Sequence, residues 1–181
     1  MTVTETPLAG VVLIEPRVFG DARGFFCETY QAERYAEAGI TARFVQDNVS
    51  RSGRGTLRGL HFQAPPHAQA KLVSCLDGSV FDVAVDLRVG SSTYGQWFGA
   101  ELSAENMRQM FVPEGFAHGF VVLSETAEFV YKTTDYYAPE HERCIVWNDP
   151  SLAITWPISA TPSVSAKDEK GTMFATAEVF E

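Results

Sequence analysis

Two histidines, a lysine and a tyrosine sit where side chains of their type need a reason. His61 lies inside RGLHFQ (58–63), and His118 closes P-x-G-x-x-H within MFVPEGFAHGF (110–120). Lys71 opens the apolar run KLVSCL, and Tyr131 lies in EFVYKTT. An imidazole with an ordinary pKa of about 6.5 suits proton transfer near neutrality. A lysine entering a buried strand is costly unless it is paired or catalytic. Tyr131 reads, on its residues alone, as a core tyrosine whose hydroxyl finds a carbonyl, with a proton-donor role as the alternative. Asp168 in SAKDEKG reads either as a solvated turn residue or as a carboxylate that orients a histidine.

A metal centre is the competing chemistry. A divalent site normally takes three or four well-placed N, O or S ligands. His61 is followed by Phe62, Gln63 and AlaProProHisAlaGlnAla with no acid. Two histidines and a glutamine are a poor set, so no metal is expected, and His67 is read as a surface loop residue. No GxGxxG fingerprint accompanies these residues, and no redox cofactor is expected.

The elements that must position these groups are mostly strands. VFDVAVDLRV (80–89) alternates, with Phe81, Val83, Val85 and Leu87 on one face and Asp82, Ala84, Asp86 and Arg88 on the other. KLVSCL, FGAEL, QMFVP, HGFVVL, EFVYKTT and CIVWN are similar runs, separated by turn residues such as Asp77-Gly78 and Pro113-Glu114-Gly115. Many short strands at regular spacing predict an all-β sandwich or barrel, which can hold a small ligand among its inward side chains. Helix is predicted over 28–40, as one turn capped by Ser103 at 103–107, and as a short piece near 172–179. In RGLHFQ, period two sets Arg58 and His61 on opposite faces. Gly59 between them allows a bulge that would bring both into one cavity.

The bulk properties narrow the function. The 181 residues fit one domain, 1–181. The net charge of −9 argues against a nucleic-acid or membrane binder. Residues 40–76 run against that average, with Arg43, Arg51, Arg54, Arg58 and Lys71 against the single acid Asp47. This contrast suggests a local anion site at Arg58 and Lys71, while Arg51 and Arg54 read as solvated. Cys27, Cys75 and Cys144 are too scattered for a disulfide framework and read as small buried hydrophobes in a reducing, cytoplasmic compartment.

The P-x-G-x-x-H turn resembles the second motif of cupins, the jelly-roll (double-stranded β-helix) barrels. A wider set of stretches resembles the dTDP-4-dehydrorhamnose 3,5-epimerase family over essentially the whole chain. These are FGDARGFFCETY (19–30), FVQDNVSRS (44–52), GTLRGLHFQ (55–63), QAKLVSCLDGSVFDVAVDLRVGSSTYGQW (69–97), VPEGFAHGFVVL (112–123), YKTTDYYAPEHERCIVWNDP (131–150) and SAKD (165–168). The resemblance implies an all-β, cupin-like jelly-roll barrel with a few short helices. It implies inversion of C3 and C5 of a dTDP-linked 4-keto-6-deoxy-glucose, without a cofactor, in dTDP-L-rhamnose biosynthesis. An alternative is inversion of only C3 or only C5 on a related nucleotide-4-keto-sugar. By the same resemblance, His61 matches the general base, Tyr131 the general acid, Asp168 the carboxylate paired with the base, and Lys71 the cation near the C4 oxygen. Arg23, Glu28, Gln46, Asp47, Asn48, Arg58, His118, Glu142 and Lys167 match nucleotide-sugar contacts, and Tyr137 the aromatic that stacks on thymine. It also implies a homodimer in which Arg23 and Glu28 serve the neighbour's site.

Overall fold

A computed structural model describes residues 1–181 and is almost entirely β. The chain runs β1 (Thr2–Glu5), β2 (Val12–Glu15), β3 (Val18–Asp21), β4 (Gly24–Cys27), α1 (Ala32–Glu37), β5 (Gln46–Gly53), β6 (Leu57–Gln63), β7 (Lys71–Asp77), β8 (Ser79–Asp86), β9 (Trp97–Ser103), β10 (Gln109–Val112), β11 (Phe116–Val122), β12 (Thr126–Thr133), β13 (Glu142–Cys144) and α2 (Ala166–Glu169). One sheet has the order β1-β2-β10-β7-β12-β5, and the other β13-β6-β11-β8-β9. All of their strand pairs are antiparallel. This is the expected cupin-like jelly roll. No helix is long and apolar enough to cross a membrane.

The core between the sheets joins Val73, Met110, Val112 and Phe129 of the first to Val80, Ala84, Leu102 and Phe120 of the second. The outer face of the second sheet is also buried. Val83, Val85, Ala117 and Val121 pack there under Leu152 and Trp156 from the C-terminal segment. Consequently β8 is covered on both faces. Its alternation separates two buried environments, and Asp82 lies fully buried on the inward one.

The predicted helix at 28–40 shrinks to Ala32–Glu37. Residues just before it are held extended by tertiary bonds. The Thr29 carbonyl accepts from Gln109 Nε2 at 2.8 Å, and Tyr35 donates to Gln109 Oε1 at 2.6 Å. Gln31 then caps the helix by accepting from the Arg34 amide. Tyr35 and Ile40 cover Ile14 and Leu72 on the outer face of the first sheet. The predicted turn of helix at 103–107 is a tight turn instead. Ser103 and Asn106 bond each other's amides, and Met107 turns the chain at φ 53°. Near 172–179 only a 3₁₀ turn forms, Phe174–Thr176.

Candidate active site

The bulge allowed by Gly59 exists. His118 pairs with His61 and Phe120 with Arg58, so three steps along β6 oppose two along β11. Gly59 has φ +131°, and a Cβ there would stand 2.5 Å from Gly119 Cα. Two facing glycines thus let β6 and β11 approach closely enough for the kink. Its result is that Arg58 and His61, which strict alternation would separate, line one cavity of about 210 Å³. Lys71, His118, Tyr131, Glu142, Ser50, Phe120 and Phe129 complete its wall.

His61 Nε2 lies 2.6 Å from Asp168 Oδ1. Asp168 is 3% exposed and sits on α2, whose N-cap Ser165 accepts from the Asp168 amide. Burial alone would raise the Asp168 pKa. The hydrogen bond and charge of His61, with the Gly59 amide and Ser165, outweigh it and hold the carboxyl below its usual range. A carboxylate in this place accepts the Nε2 proton, which leaves Nδ1 with the free lone pair. Of the two sequence readings of Asp168, the buried carboxylate against a histidine is the observed one.

Lys71 Nζ reaches the His61 carbonyl at 3.4 Å. Burial pushes its pKa down to about 8, while the charges of Asp82 and Glu142 work the other way. His118 stacks on Phe129 and places Nε2 2.8 Å from Asp82 Oδ1. Burial lowers the His118 pKa, with Asp82 opposing. Asp82 Oδ2 is buried without a partner. Tyr131 is half-buried, and burial raises its pKa, so the phenol keeps its proton at neutral pH.

Two further hollows share wall residues with this cavity. At the first, Gln46 Nε2 donates to Asn48, and Gln46 Oε1 accepts from the Tyr137 amide, beside Tyr131 and Thr133. The Tyr137 hydroxyl donates to Glu142, which also pairs with Lys167. Arg58, His61, Lys167 and Asp168 border the second, a hollow of about 390 Å³. Arg58 is held by two 3.1 Å bonds to Ser52 Oγ and turns its guanidinium toward solvent. Gln63 spends its amide on the His67 and Tyr136 carbonyls and the Ala138 amide, fixing the loop that carries Tyr137. His67 is half-exposed against Asp135, as a loop residue should be.

Three predicted contacts lie elsewhere. The Asp47 carboxylate points outward to Lys132, because its neighbours Gln46 and Asn48 take the inward positions of β5. Arg23 pairs with Asp21 on the exposed β3–β4 hairpin, and Glu28 pairs with Arg34 beside it. Neither of these two lines the cavity of its own chain. The residues missed from sequence are Asp82, Ser52 and Cys144. An aspartate amid VFDVAV was a usable signal for the first. Cys144 is half-buried, not an inert core residue, with Sγ 3.9 Å from Asp168 Oδ1.

Comparison with known proteins gives matches along nearly the whole chain. A family model described as dTDP-4-dehydrorhamnose 3,5-epimerase matches residues 5–176. The chain is 62% identical to the dTDP-4-dehydrorhamnose 3,5-epimerase of Pseudomonas aeruginosa, across 99% of both chains. It is 56% identical to that of Salmonella typhimurium, over 93% of this chain and 92% of the relative. A crystal structure of the Legionella pneumophila dTDP-6-deoxy-D-glucose-3,5-epimerase in complex with dTDP-4-keto-L-rhamnose superposes with a TM-score of 0.95 at 53% identity, covering 98% of this chain and 94% of that one. From the bulged β6 outward to these full-length matches, the chain belongs to the dTDP-4-dehydrorhamnose 3,5-epimerase family.

Proposed function

We propose that the cavity performs the family reaction by moving protons across a 4-keto sugar: His61 as base, Tyr131 as acid, Lys71 at the C4 oxygen. The reaction is epimerisation at C3 and C5 of dTDP-4-dehydro-6-deoxy-D-glucose to dTDP-4-dehydro-L-rhamnose. Both C–H bonds flank the ketone, so loss of either proton puts charge on the C4 oxygen as an enolate. Lys71 stabilises that charge, and one well-placed donor is worth about 3–4 kcal/mol. His61 Nδ1 removes the proton from one face, with Asp168 stabilising the imidazolium. Tyr131 returns a proton to the other face, and the centre inverts. The chemistry is redox-neutral and calls for no hydride carrier.

The observation that carries this reading is the shared wall: His61, Lys71 and Tyr131 border one cavity with Arg58. Arg58 is a guanidinium fork suited to pyrophosphate oxygens. Tyr137, 56% exposed beside Gln46 and Asn48, offers a face to the thymine ring. His118, Glu142 and Lys167 contact the sugar and diphosphate between them.

The enzyme works as a cytoplasmic homodimer of single-domain chains. Supporting this, the β3–β4 hairpin leaves Phe25 65% and Phe26 67% exposed beside Arg23. A second copy covering these rings would bring Arg23 and Glu28 to its own cavity. Sedimentation equilibrium tests the dimer, and Arg23→Ala should raise KM more than it lowers kcat. The decisive test of the base is His61→Asn, which should end proton exchange at C3 and C5 while dTDP still binds. Full exchange in that variant would overturn the assignment.

A further inference from the structure

Cys144 stands against the His61–Asp168 pair, and the epimerisation has no use for it. It ends β13, whose pairing with β6 sets Cys144 directly opposite His61. The donor atoms of His61, Cys144 and Asp168 all lie within 4.8 Å of one another. These are one imidazole, one thiol and one carboxylate, the donors that zinc-type cations take. Bond lengths of about 2.0–2.3 Å in a tetrahedral site place neighbouring donors roughly 3.3–3.6 Å apart. The His61–Asp168 spacing of 2.6 Å is shorter than that, and the Cys144–Asp168 spacing of 3.9 Å is longer. A cation centred among them would part the ion pair slightly and draw the thiol inward. The hollow bordered by Arg58, His61, Lys167 and Asp168 reaches two of the three donors, His61 and Asp168.

We propose that His61, Cys144 and Asp168 form an inhibitory site for a thiophilic divalent cation of the Zn²⁺ type. The inhibitory half rests on His61 being the catalytic base, as argued above. Binding forms an S–M bond as the Cys144 thiol gives its proton to solvent. Asp168 binds as the carboxylate it already is. His61 binds through Nε2, and its single proton moves to Nδ1. One proton is released per ion, nothing is oxidised, and the base loses its free lone pair. The site opposes catalysis and does not supply it.

The test uses the purified dimer freed of metal with a chelator. Titration with Co²⁺ should produce a sulfur-to-cobalt charge-transfer band in the near ultraviolet. The band should be lost in Cys144→Ser and Cys144→Ala and kept in Cys27→Ser. Zn²⁺ should inhibit epimerisation, and Cys144→Ser should raise the half-inhibiting concentration at least tenfold, each variant judged against its own metal-free rate. No band in the wild type, or a band that survives both Cys144 variants, overturns the site. A Cys144-dependent band without zinc inhibition upholds the site and overturns the inhibitory role, pointing the fault at His61 as base.

Discussion

His61 Nε2 and Asp168 Oδ1 stand 2.6 Å apart although 107 residues separate them in sequence. The carboxylate is almost wholly buried, so its charge acts on the imidazole with little screening. It fixes which ring nitrogen carries the proton and leaves the other free to accept one.

The Asp168→Asn variant therefore loses activity through kcat. An asparagine amide fits the space but can hold the wrong tautomer and cannot stabilise imidazolium. A loss on the order of 10²–10⁴-fold is expected, the range for general base catalysis. Steady-state kinetics checks this, and a defect confined to KM would contradict it.

With Lys71 as the proposed cation at the C4 oxygen, its titration should set the alkaline limit. Its pKa of about 8 means that the ammonium disappears from the free enzyme as pH rises through that value. The profile of kcat/KM, which reports the free enzyme, should fall above about pH 8. Tyr131 titrates above its ordinary value and cannot produce this limb. Lys71→Arg should abolish the limb. The sign for stability is opposite. The unfolded chain holds the lysine proton to about pH 10.4, so unfolding takes up a proton above pH 8 and stability rises with pH in that window. Lys71→Met should flatten the rise, as read by urea midpoints across pH.

Tyr131→Phe separates removal from return of the proton. The proposed base His61 and the proposed enolate-stabilising Lys71 remain, so isotope exchange at the sugar carbons should persist. Inversion, which needs a donor on the opposite face, falls far more. Equal loss of both in the same NMR time course would count against the acid role.

Gly59→Ala tests the bulge. The new methyl would meet Gly119 Cα at 2.5 Å in a backbone conformation that L side chains rarely adopt. A cost of about 2–4 kcal/mol follows, which lowers Tm by roughly 5–15 °C in a chain of this size. Calorimetry measures it. An unchanged Tm would show that β6 does not need the close approach.

The strands were legible because runs such as KLVSCL and HGFVVL combine alternation with clear turn residues. His61 and Lys71 were legible for a related reason: a polar group inside an apolar run asks for an explanation. Asp168 was ambiguous, because SAKDEKG has the composition of a solvated turn. Only the seating of α2 against β6 buries it. The helix at 28–40 was overread because local propensity cannot see that Gln109, some eighty residues on, binds the Thr29 carbonyl. Asp82 was passed over because an alternating strand suggests one polar face, whereas β8 is buried on both. The placement of Arg23 and Glu28 came from resemblance to the family, since nothing in the periodicity of their own chain marks them.

The most direct test is the sugar formed from dTDP-4-dehydro-6-deoxy-D-glucose in deuterated buffer, read by proton NMR. Proton shuttling between His61 and Tyr131 predicts dTDP-4-dehydro-L-rhamnose with deuterium at both C3 and C5, and no exchange with His61→Asn. A product inverted at one carbon alone, or one that keeps its original hydrogens at C3 and C5, would contradict it.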